Sequence, residues 1–473
     1  MMVLMDSSRP ATWKTSTLGA VAHGFLSGGT PSTKNEAFWR GSIPWITSKW
    51  INSSLYLDSG EKFISDDALR ESATTLVPRN SLIFATRVGV GKVAVNRLDL
   101  AINQDLAGVL IDPNRYDIHF IAYQLRSERL QNMVALHKRG ATIQGITRDN
   151  LKELEITLPP LPEQRKIAGV LGVVQRAMEQ QGRLLALTAE LKKVILHQIF
   201  TAGLRGEPQK QTEIGPVPEG WTATTLGELA CEPHGFLQTG PFGSQLHKNE
   251  YLTEGIGVVN PTHLWGNRIN HEDVPRVSSE TAARLDRHFL EEGDILFARR
   301  GEIGRHGMVT KDEEGWLCGT GCFLARVRQE HVDNRFLSYL FSTKGVIAWL
   351  NGHSAGAIMP NLSNTVLRSM PVFFPLKEVQ AEIADCLDAT EQKIAIHQRK
   401  HAILTDLYRT LLHQLMTAQI RVHELDLDLL DCGDMSPLSE GATRRAGQSA
   451  DVSAHSKKQN GGTSSHVTVR KFR

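Results

Sequence analysis

The chain has 473 residues, of which 41% are hydrophobic and 22% are charged, the balance of an ordinary folded protein. The formal net charge is only +2, so overall charge alone does not indicate a protein that wraps nucleic acid. No apolar run reaches the roughly 18 residues that span a membrane, and the odd count of five cysteines does not suggest a disulfide framework. We expect a cytoplasmic protein of two or three domains.

Residues 1–158 form the first predicted domain, a mixed α+β region. Short β-rich runs, such as SLIFATRV from Ser81, are separated by Gly- and Pro-containing segments, which is typical of strands joined by turns.

Residues 159–205 form the first predicted long helix. Pro159, Pro160 and Pro162 mark its start, because proline is tolerated in the first helical turn. Core-type positions then recur at alternating spacings of four and three residues, which predicts a heptad seam. The seam positions are Ile167, Leu171, Val174, Met178, Gln181, Leu185, Thr188, Lys192, Ile195 and Ile199.

Residues 206–374 form the second predicted domain, with a leading linker, and they repeat the first. WTATTLG from Trp221 matches WKTSTLG from Trp13 at a shift of 208, and DILFARR from Asp294 matches SLIFATR from Ser81 at a shift of 213. A period of this length indicates a duplicated domain and not a solenoid.

Residues 375–421 form the second predicted helix, which matches residues 159–205 without a gap at 14 of 47 positions. Its equivalent seam consists of Ile383, Leu387, Thr390, Ile394, His397, His401, Leu404, Tyr408, Leu411 and Leu415. We predict an antiparallel coiled coil of the two helices, with Gln181 and Thr188 near His397 and His401. The alternative is that each helix packs only on its own domain.

Residues 422–473 form a predicted tail. From residue 432 onward the composition changes to Ser, Gly, Thr, Lys and Arg with few large apolar residues, so we expect disorder. The tail is net basic, so weak contact with DNA is an alternative to a solvated terminus.

An ordered set of short motifs carries a family resemblance. The second copy contains VPEGW from Val217, TGPFGSQL from Thr239, GDILFARRGEIGR from Gly293, GTGCFLARV from Gly319 and GAIMPNLS from Gly356. The first copy repeats them more loosely, with PWITSKWI from Pro44, NQDLAGVL from Asn103, GATIQGIT from Gly140 and LPPLPEQRKIA from Leu158. Together, over residues 13–421, they resemble the specificity subunits of type I restriction–modification enzymes.

The resemblance implies two pseudo-repeated α+β target-recognition domains separated by two helices that form an antiparallel coiled coil. Each domain would read half of an asymmetric, bipartite DNA target. Two modification subunits and two restriction (translocase–nuclease) subunits would assemble on the chain and perform adenine methylation and cleavage. The chain itself would have no catalytic residue, metal or cofactor, and S-adenosylmethionine, ATP and magnesium would belong to the partners.

Three alternatives stay open at this point. The chain could be the DNA-reading subunit of another modification or defence assembly that does not cleave. A stand-alone enzyme with an unfamiliar site would act on DNA without partners. A purely structural coiled-coil scaffold would show no sequence preference.

Five basic residues in Gly-rich loops are the first candidates for DNA contact. Arg87 and Lys92 lie in TRVGVGK, and Arg299, Arg300 and Arg305 lie in ARRGEIGR. Glycine allows the backbone to approach DNA closely, and arginine suits phosphate or guanine contacts. An ordinary hairpin loop with solvated charges has the same composition.

A second set of candidates lies in PWITSKW and in the corresponding NPTH segment. Thr47, Ser48 and Lys49, with Asn260 and Thr262, offer hydroxyl, amide and amino groups to base edges and phosphates. The alternative for the first segment is a packing turn.

That packing turn would have Trp45 and Trp50 buried.

The two remaining candidates are Gln144, whose amide suits adenine, and Asn361 in the corresponding segment of the second copy. This segment has a purely structural alternative too.

The two helices carry the candidates for partner docking. His197 and His413 occupy equivalent helix-end positions, which indicates shared packing or docking and not catalysis. The predicted docking set is Gln164, His197, Gln198, Gln380, His413 and Gln414. Cys318 and Cys322 lack a second ligand pair at zinc-finger spacing, so no metal site is predicted.

Overall fold

The computed structural model describes residues 10, 12–138, 145–354 and 361–425. Gln144 and residues 426–473 of the predicted tail lie outside the described residues. Residues up to Val422 form one compact unit, in which two α+β domains each continue into a long helix.

The first domain and its helix contain eleven strands and six helices among the described residues. The strands are β1 (Lys14–Thr17), β2 (Ala22–Ser27), β3 (Ile43–Ile46), β4 (Tyr56–Leu57), β5 (Lys62–Ile64), β6 (Thr75–Val77), β7 (Leu82–Ala85), β8 (Val93–Asn96), β9 (Leu100–Ile102), β10 (Leu106–Ile111) and β11 (Glu155–Leu158). The helices are α1 (Leu18–Val21), α2 (Asp66–Glu71), α3 (Ile118–Arg126), α4 (Glu128–Leu136), α5 (Arg148–Lys152) and α6 (Leu161–Ala202).

The second domain and its helix follow. The strands are β12 (Gln209–Thr212), β13 (Gly215–Pro218), β14 (Thr222–Thr225), β15 (Gly235–Thr239), β16 (Ile256–Val259), β17 (Leu264–Trp265), β18 (Arg268–Ile269), β19 (Arg276–Val277), β20 (Ile295–Ala298), β21 (His306–Met308), β22 (Leu317–Cys318), β23 (Cys322–Val327) and β24 (Pro371–Phe374). The helices are α7 (Leu226–Leu229), α8 (Ser279–Arg284), α9 (Asn334–Phe341), α10 (Lys344–His353), α11 (Asn364–Arg368) and α12 (Lys377–Met416).

The main sheets of the two domains share one strand order over four and three strands, and each sheet of the first domain has one further strand at its edge. A sheet β2-β10-β7-β8-β4 and a sheet β5-β3-β9-β6 form the first domain, and β15-β23-β20-β21 and β19-β16-β22 form the second. The apolar runs of β7 and β20 are buried at all four positions, as expected of central strands that are covered on both faces. The duplication seen in the sequence is therefore a duplication of topology.

The helices α6 and α12, of 42 and 40 residues, pack on each other in opposite directions. Arg421, beyond the end of α12, donates to Glu163 at the start of α6 (Nε to Oε1, 3.0 Å). Near the middle, His397 Nδ1 lies 2.8 Å from Gln181 Oε1. All the predicted seam positions are buried or half-buried. The predicted antiparallel coiled coil, and with it the fold class, is confirmed.

Each helix also contacts both domains. At the start of each helix a glutamine fixes the helix to its own domain, because the backbone N–H of Asp117 donates to Gln164 and that of Asp333 donates to Gln380, both at 2.9 Å. At its far end α6 enters the core of the second domain, where Phe200 packs against Trp221 and Phe336. The coil therefore holds one domain near each of its ends.

Candidate nucleic-acid interface

In the second domain, the loop after β20 meets the segment before α11. The N–H of Leu362 donates to the carbonyl of Arg299 (2.9 Å), and Arg299 Nε donates to Asn361 Oδ1 (3.3 Å). Arg300 forms an isolated bridge with Asn361 and is exposed. Three predicted DNA-contacting residues are thus brought together, with the Arg300 guanidinium available to a phosphate or a base edge.

Arg305 connects this loop to the segment after β16. Its Nη1 lies 3.5 Å from the carbonyl of Pro261, its Nη2 donates to Glu302 at 2.8 Å, and its guanidinium lies 6.0 Å from the Trp265 ring centroid. Thr262, next to Pro261, is exposed. The loop arginines and Thr262 therefore share one surface of the second domain.

Asn260 has a structural role in the same segment. Its N–H donates to Nδ1 of His263 (2.9 Å), and burial lowers the pKa of that imidazole, which favours the neutral form that accepts this bond. A Cβ on Gly319 would lie only 2.4 Å from Asn260 Oδ1, so the amide packs closely against this glycine. Asn260 is thus half-buried and shapes the turn that presents Thr262.

In the first domain, Lys92 makes the corresponding connection between two loops. Its Nζ donates to the carbonyl of Ile51 (2.9 Å) and lies 3.5 Å from that of Ser48. The repeat that aligns Ser81 with Asp294 also aligns Lys92 with Arg305 and Ser48 with Pro261. In each domain, a contact between a cation and a backbone carbonyl therefore joins the two segments that carry the candidate DNA contacts. These segments form the loop surface of that domain.

Two residues of the second predicted set, Ser48 and Thr47, are corrected by this geometry. The Ser48 side chain is buried, only 1% exposed, so it is not available to DNA. The Thr47 hydroxyl donates to Glu61 (2.6 Å) and is occupied in fixing the loop. Lys49 and Arg87, in contrast, are exposed as a DNA contact requires.

The alternative of a turn with two buried tryptophans is half right. Trp45 is buried, whereas Trp50 is 38% exposed beside Lys49. Trp265, which is 70% exposed next to Arg305, was missed by the sequence analysis, although an aromatic residue close to an arginine-rich loop is the signal that would have found it.

Comparisons with known proteins show the family to which the chain belongs. A family model for the type I restriction modification DNA specificity domain matches residues 10–189 and 249–405, which together exceed half of the chain. This chain belongs to the family of type I restriction–modification specificity subunits.

Individual members of the specificity-subunit family are distant in sequence, and they match this chain over different lengths. The type I restriction enzyme MjaIX specificity subunit of Methanocaldococcus jannaschii is 23% identical over 431 residues, covering 88% of this chain and 95% of that protein. The EcoR124I/EcoR124II specificity subunit of Escherichia coli is 32% identical over 164 residues, covering 34% and 39%. A crystal structure of the type I restriction–modification system S subunit from M. genitalium has the same fold, with a TM-score of 0.58 at 18% identity, and covers 88% and 98%.

The predicted docking residues on the two spacer helices, α6 and α12, fall into two groups. Gln164 and Gln380 are buried, 2% and 0% exposed, because they hold the helix starts to their domains, so they are not available to a partner subunit. His197, Gln198 and His413 are exposed. Gln414, the last member of the predicted set, is half-buried.

His413 lies beside a cavity between the first domain and the end of α12. The cavity has a volume of about 550 Å³, and Arg129, Leu412 and Met416 are among its lining residues. The side chains around His413 therefore include both apolar and basic groups.

An apolar surface on the spacer helices was missed by the sequence analysis. Leu187 and Leu191 on α6 are 68% and 52% exposed, and Ile403 and Leu407 on α12 are 60% and 43% exposed. The helix repeat aligns Leu187 with Ile403 and Leu191 with Leu407, so the two helices expose equivalent apolar patches. The signal was present, since these positions lie outside the heptad seam and are nevertheless apolar.

Two further properties concern the described residues. No helix among them is long and apolar enough to cross a membrane, and no group of three or more His, Cys, Asp and Glu side chains is placed to hold a metal ion. Cys318 and Cys322 are buried in the second domain, and burial raises the pKa of both thiols, which keeps them protonated.

Proposed function

We propose that this chain reads an asymmetric, bipartite DNA target and directs adenine methylation and cleavage by its partner subunits. The observation that supports this proposal is the pair of loop surfaces, built alike and bearing different side chains. Lys92 in the first domain corresponds to Arg305 in the second, and Thr86 corresponds to Arg299. Because base readout depends on individual side chains at the groove, unlike side chains on a shared scaffold favour two different half-sites.

The coil sets the separation of the two half-sites in this proposal. A helix of 42 residues is about 63 Å long at roughly 1.5 Å per residue. Paired DNA readers bind half-sites about 34–36 Å apart, one helical turn of B-DNA, or a multiple of it. A coil of this length therefore suits two domains that reach the same face of the duplex more than one turn apart.

The spacer helices are the proposed docking surface for two modification subunits. The apolar pairs Leu187/Leu191 and Ile403/Leu407 are equivalent under the repeat, so two copies of one partner would find similar sites. Two restriction subunits would complete the cleaving assembly. We assign no catalytic residue to this chain, and S-adenosylmethionine, ATP and magnesium would act in the partners.

The test is a single-molecule methylation map from a host without adenine methylation. The chain is co-expressed with the modification subunit encoded beside it, and the control lacks this chain. The proposal requires one split, asymmetric motif that is methylated only when the chain is present. A soluble complex with no methylated motif would refute it. Methylation with no DNA cleavage, when every subunit encoded in the same operon is supplied, would favour the alternative of an assembly that modifies without cleaving.

A double variant shows which half-site the second domain reads. Arg299→Ala with Arg300→Ala should relax one half of the motif and leave the other half unchanged, because a good bidentate base contact is worth about 1–3 kcal/mol of discrimination. Arg70→Ala is the control, since Arg70 is exposed, pairs with Asp67 and lies outside both loop surfaces. Loss of both half-sites together would argue against separate readers.

A further inference from the structure

Arg126, the last residue of α3, is a mostly enclosed cation bound to neutral oxygens. Its Nε donates to the carbonyl of Val93 (2.9 Å), its Nη1 to that of Ser53 (3.0 Å), and its Nη2 to those of Val93 and Ser54. Among the described residues, no carboxylate accepts a hydrogen bond from it. Removing a charge from water costs free energy. The desolvation cost of the Arg126 guanidinium therefore has to be offset by the hydrogen bonds that it makes and the structure that they fix.

The structure that Arg126 organises is the segment 47–54. Arg126 holds the carbonyl groups at one end of this segment, and Lys92 holds those of Ser48 and Ile51 at the other. Both cations hold the segment through its backbone oxygens. The side chains of exposed residues such as Lys49 are therefore left free to face DNA, while the backbone that carries them is fixed.

The other side of Arg126 faces the coil. Tyr408 of α12 lies beside Tyr123 of α3 with ring centroids 6.3 Å apart, and Tyr123 is one turn before Arg126. Arg126 itself lines one cavity together with Arg409 and Leu412 of α12. Arg126 thus lies between the loop of the first domain and the second spacer helix.

At the corresponding position the second domain makes a different contact, which carries no charge and has a side-chain oxygen, Oδ1 of Asn267, as its acceptor. Ser342, which the repeat aligns with Arg126, donates through its hydroxyl to Asn267, which corresponds to Ser54. The position of Tyr408 is taken there by Lys192, which pairs with Glu391 within the coil. At this aligned position the first domain therefore has a guanidinium that donates to backbone carbonyl groups, and the second domain has a hydroxyl.

We propose that Arg126 is a positioning residue for readout of the first half-site: it fixes the segment 47–54 against the domain and the second spacer helix without touching DNA. This inference rests on the proposed function. It predicts that the residue controls discrimination at one half of the target only, since the aligned residue of the second domain, Ser342, has a hydroxyl instead of a guanidinium.

The experiment is the methylation map of the full complex with Arg126→Ala and Arg126→Lys. The first half-site is the one that Arg299→Ala with Arg300→Ala leaves intact. We expect Arg126→Ala to lower discrimination at bases of that half-site roughly tenfold and to leave the second half-site unchanged, in keeping with the usual effect of one mismatched base pair. Arg126→Lys keeps the positive charge but loses the guanidinium that donates to three carbonyl groups. We expect this variant to discriminate better than Arg126→Ala and less well than the wild-type chain. Ser342→Ala is the matched control in the second domain.

The second half-site, read in the same molecules, reports whether the variant still folds and assembles. Wild-type discrimination at the first half-site in Arg126→Ala would overturn the inference, and so would equal loss at both half-sites in Arg126→Lys. If Arg126→Ala does not assemble, the inference is tested with Arg126→Lys instead, by its discrimination at the first and at the second half-site. Absence of any motif with the wild-type chain would instead defeat the proposed function.

Discussion

The junction between the second domain and the coil is charged, whereas its counterpart in the first domain lacks the ion pairs. In the second domain, Arg335 pairs with Asp385 (2.8 Å) and Asp388 (3.0 Å) of α12 and with Asp333 (3.0 Å) of its own domain. The Tyr339 hydroxyl donates to Asp388 at 2.7 Å. A network of carboxylates therefore joins α9 to α12.

In the first domain both carboxylates that the spacer helix contributes to this network are missing. The repeat aligns Asp385 and Asp388 with Gly169 and Gly172, and His119 stands in place of Arg335. Tyr123 corresponds to Tyr339, but its hydroxyl is buried with no hydrogen-bond partner among the described residues. Burial raises its pKa far above the usual value, so the phenol stays neutral.

What the two junctions share is contact with the backbone. Gln164 and Gln380 each accept a hydrogen bond from the first residue of the turn that begins α3 or α9, at the same distance of 2.9 Å. This comparison indicates that backbone contacts and packing place each domain on the coil. The contacts between side chains differ from one junction to the other without changing that placement. Two domains with different loops can therefore be held in equivalent positions.

Removing the carboxylate at the centre of the charged junction should have the largest effect on stability. Asp388→Ala takes the acceptor from Tyr339 and one partner from Arg335, and hydrogen bonds to charged groups contribute about 1.5–3 kcal/mol each. We expect a loss of about 2 kcal/mol in the free energy of unfolding, measured by denaturant titration. A variant with the same free energy of unfolding as the wild-type chain would mean that the network does not stabilise the junction.

The two tyrosines provide a matched pair with a smaller expected difference. Tyr339→Phe should cost about 1.5 kcal/mol, because it leaves Asp388 with one fewer donor in a partly buried site. Tyr123→Phe should be close to neutral or slightly stabilising, because the hydroxyl that it removes has no described partner. Equal costs for the two variants, in the same titration, would remove the distinction between the junctions.

A glycine of the first junction should give the smallest effect, with the opposite sign. Gly169 lies inside α6, and a Cβ added there would meet no atom within 4 Å, so Gly169→Ala should add roughly 0.5–1 kcal/mol of stability. Thermal unfolding of the variant beside the wild-type chain measures this gain. A lower melting temperature would contradict this expectation, because it would mean that a neighbouring group excludes a Cβ at Gly169.

The fold was predictable from the sequence because its signals are local and repeated. Heptad positions such as Leu171 and Leu387 show a period that only a helix seam explains, and both are fully buried. The duplication then established the order of the domains. Loop residues such as Arg300 were predicted as DNA contacts because they lie in equivalent places after matching strands, and this role stays a prediction.

The parts of the site that the sequence did not reveal depend on contacts between distant segments. Ser48 is buried within the segment whose carbonyl groups Lys92 contacts. Gln164 accepts a hydrogen bond from the N–H of Asp117, 47 residues away. Arg126 was missed because its acceptors are backbone carbonyls, which leave no pattern of residue types in the sequence.

The central claim is that two interchangeable domains on a pseudo-symmetric coil each read one half-site. The most direct measurement is the methylation map of a chain in which residues 12–175 are replaced by residues 220–391, so that the charged junction moves with its domain. Tyr408→Lys supplies the partner for the incoming copy of Glu391, as Lys192 does in the natural coil. The account predicts a symmetric motif, an inverted repeat of the second half-site. A methylated motif that is still asymmetric or still contains the first half-site would contradict it.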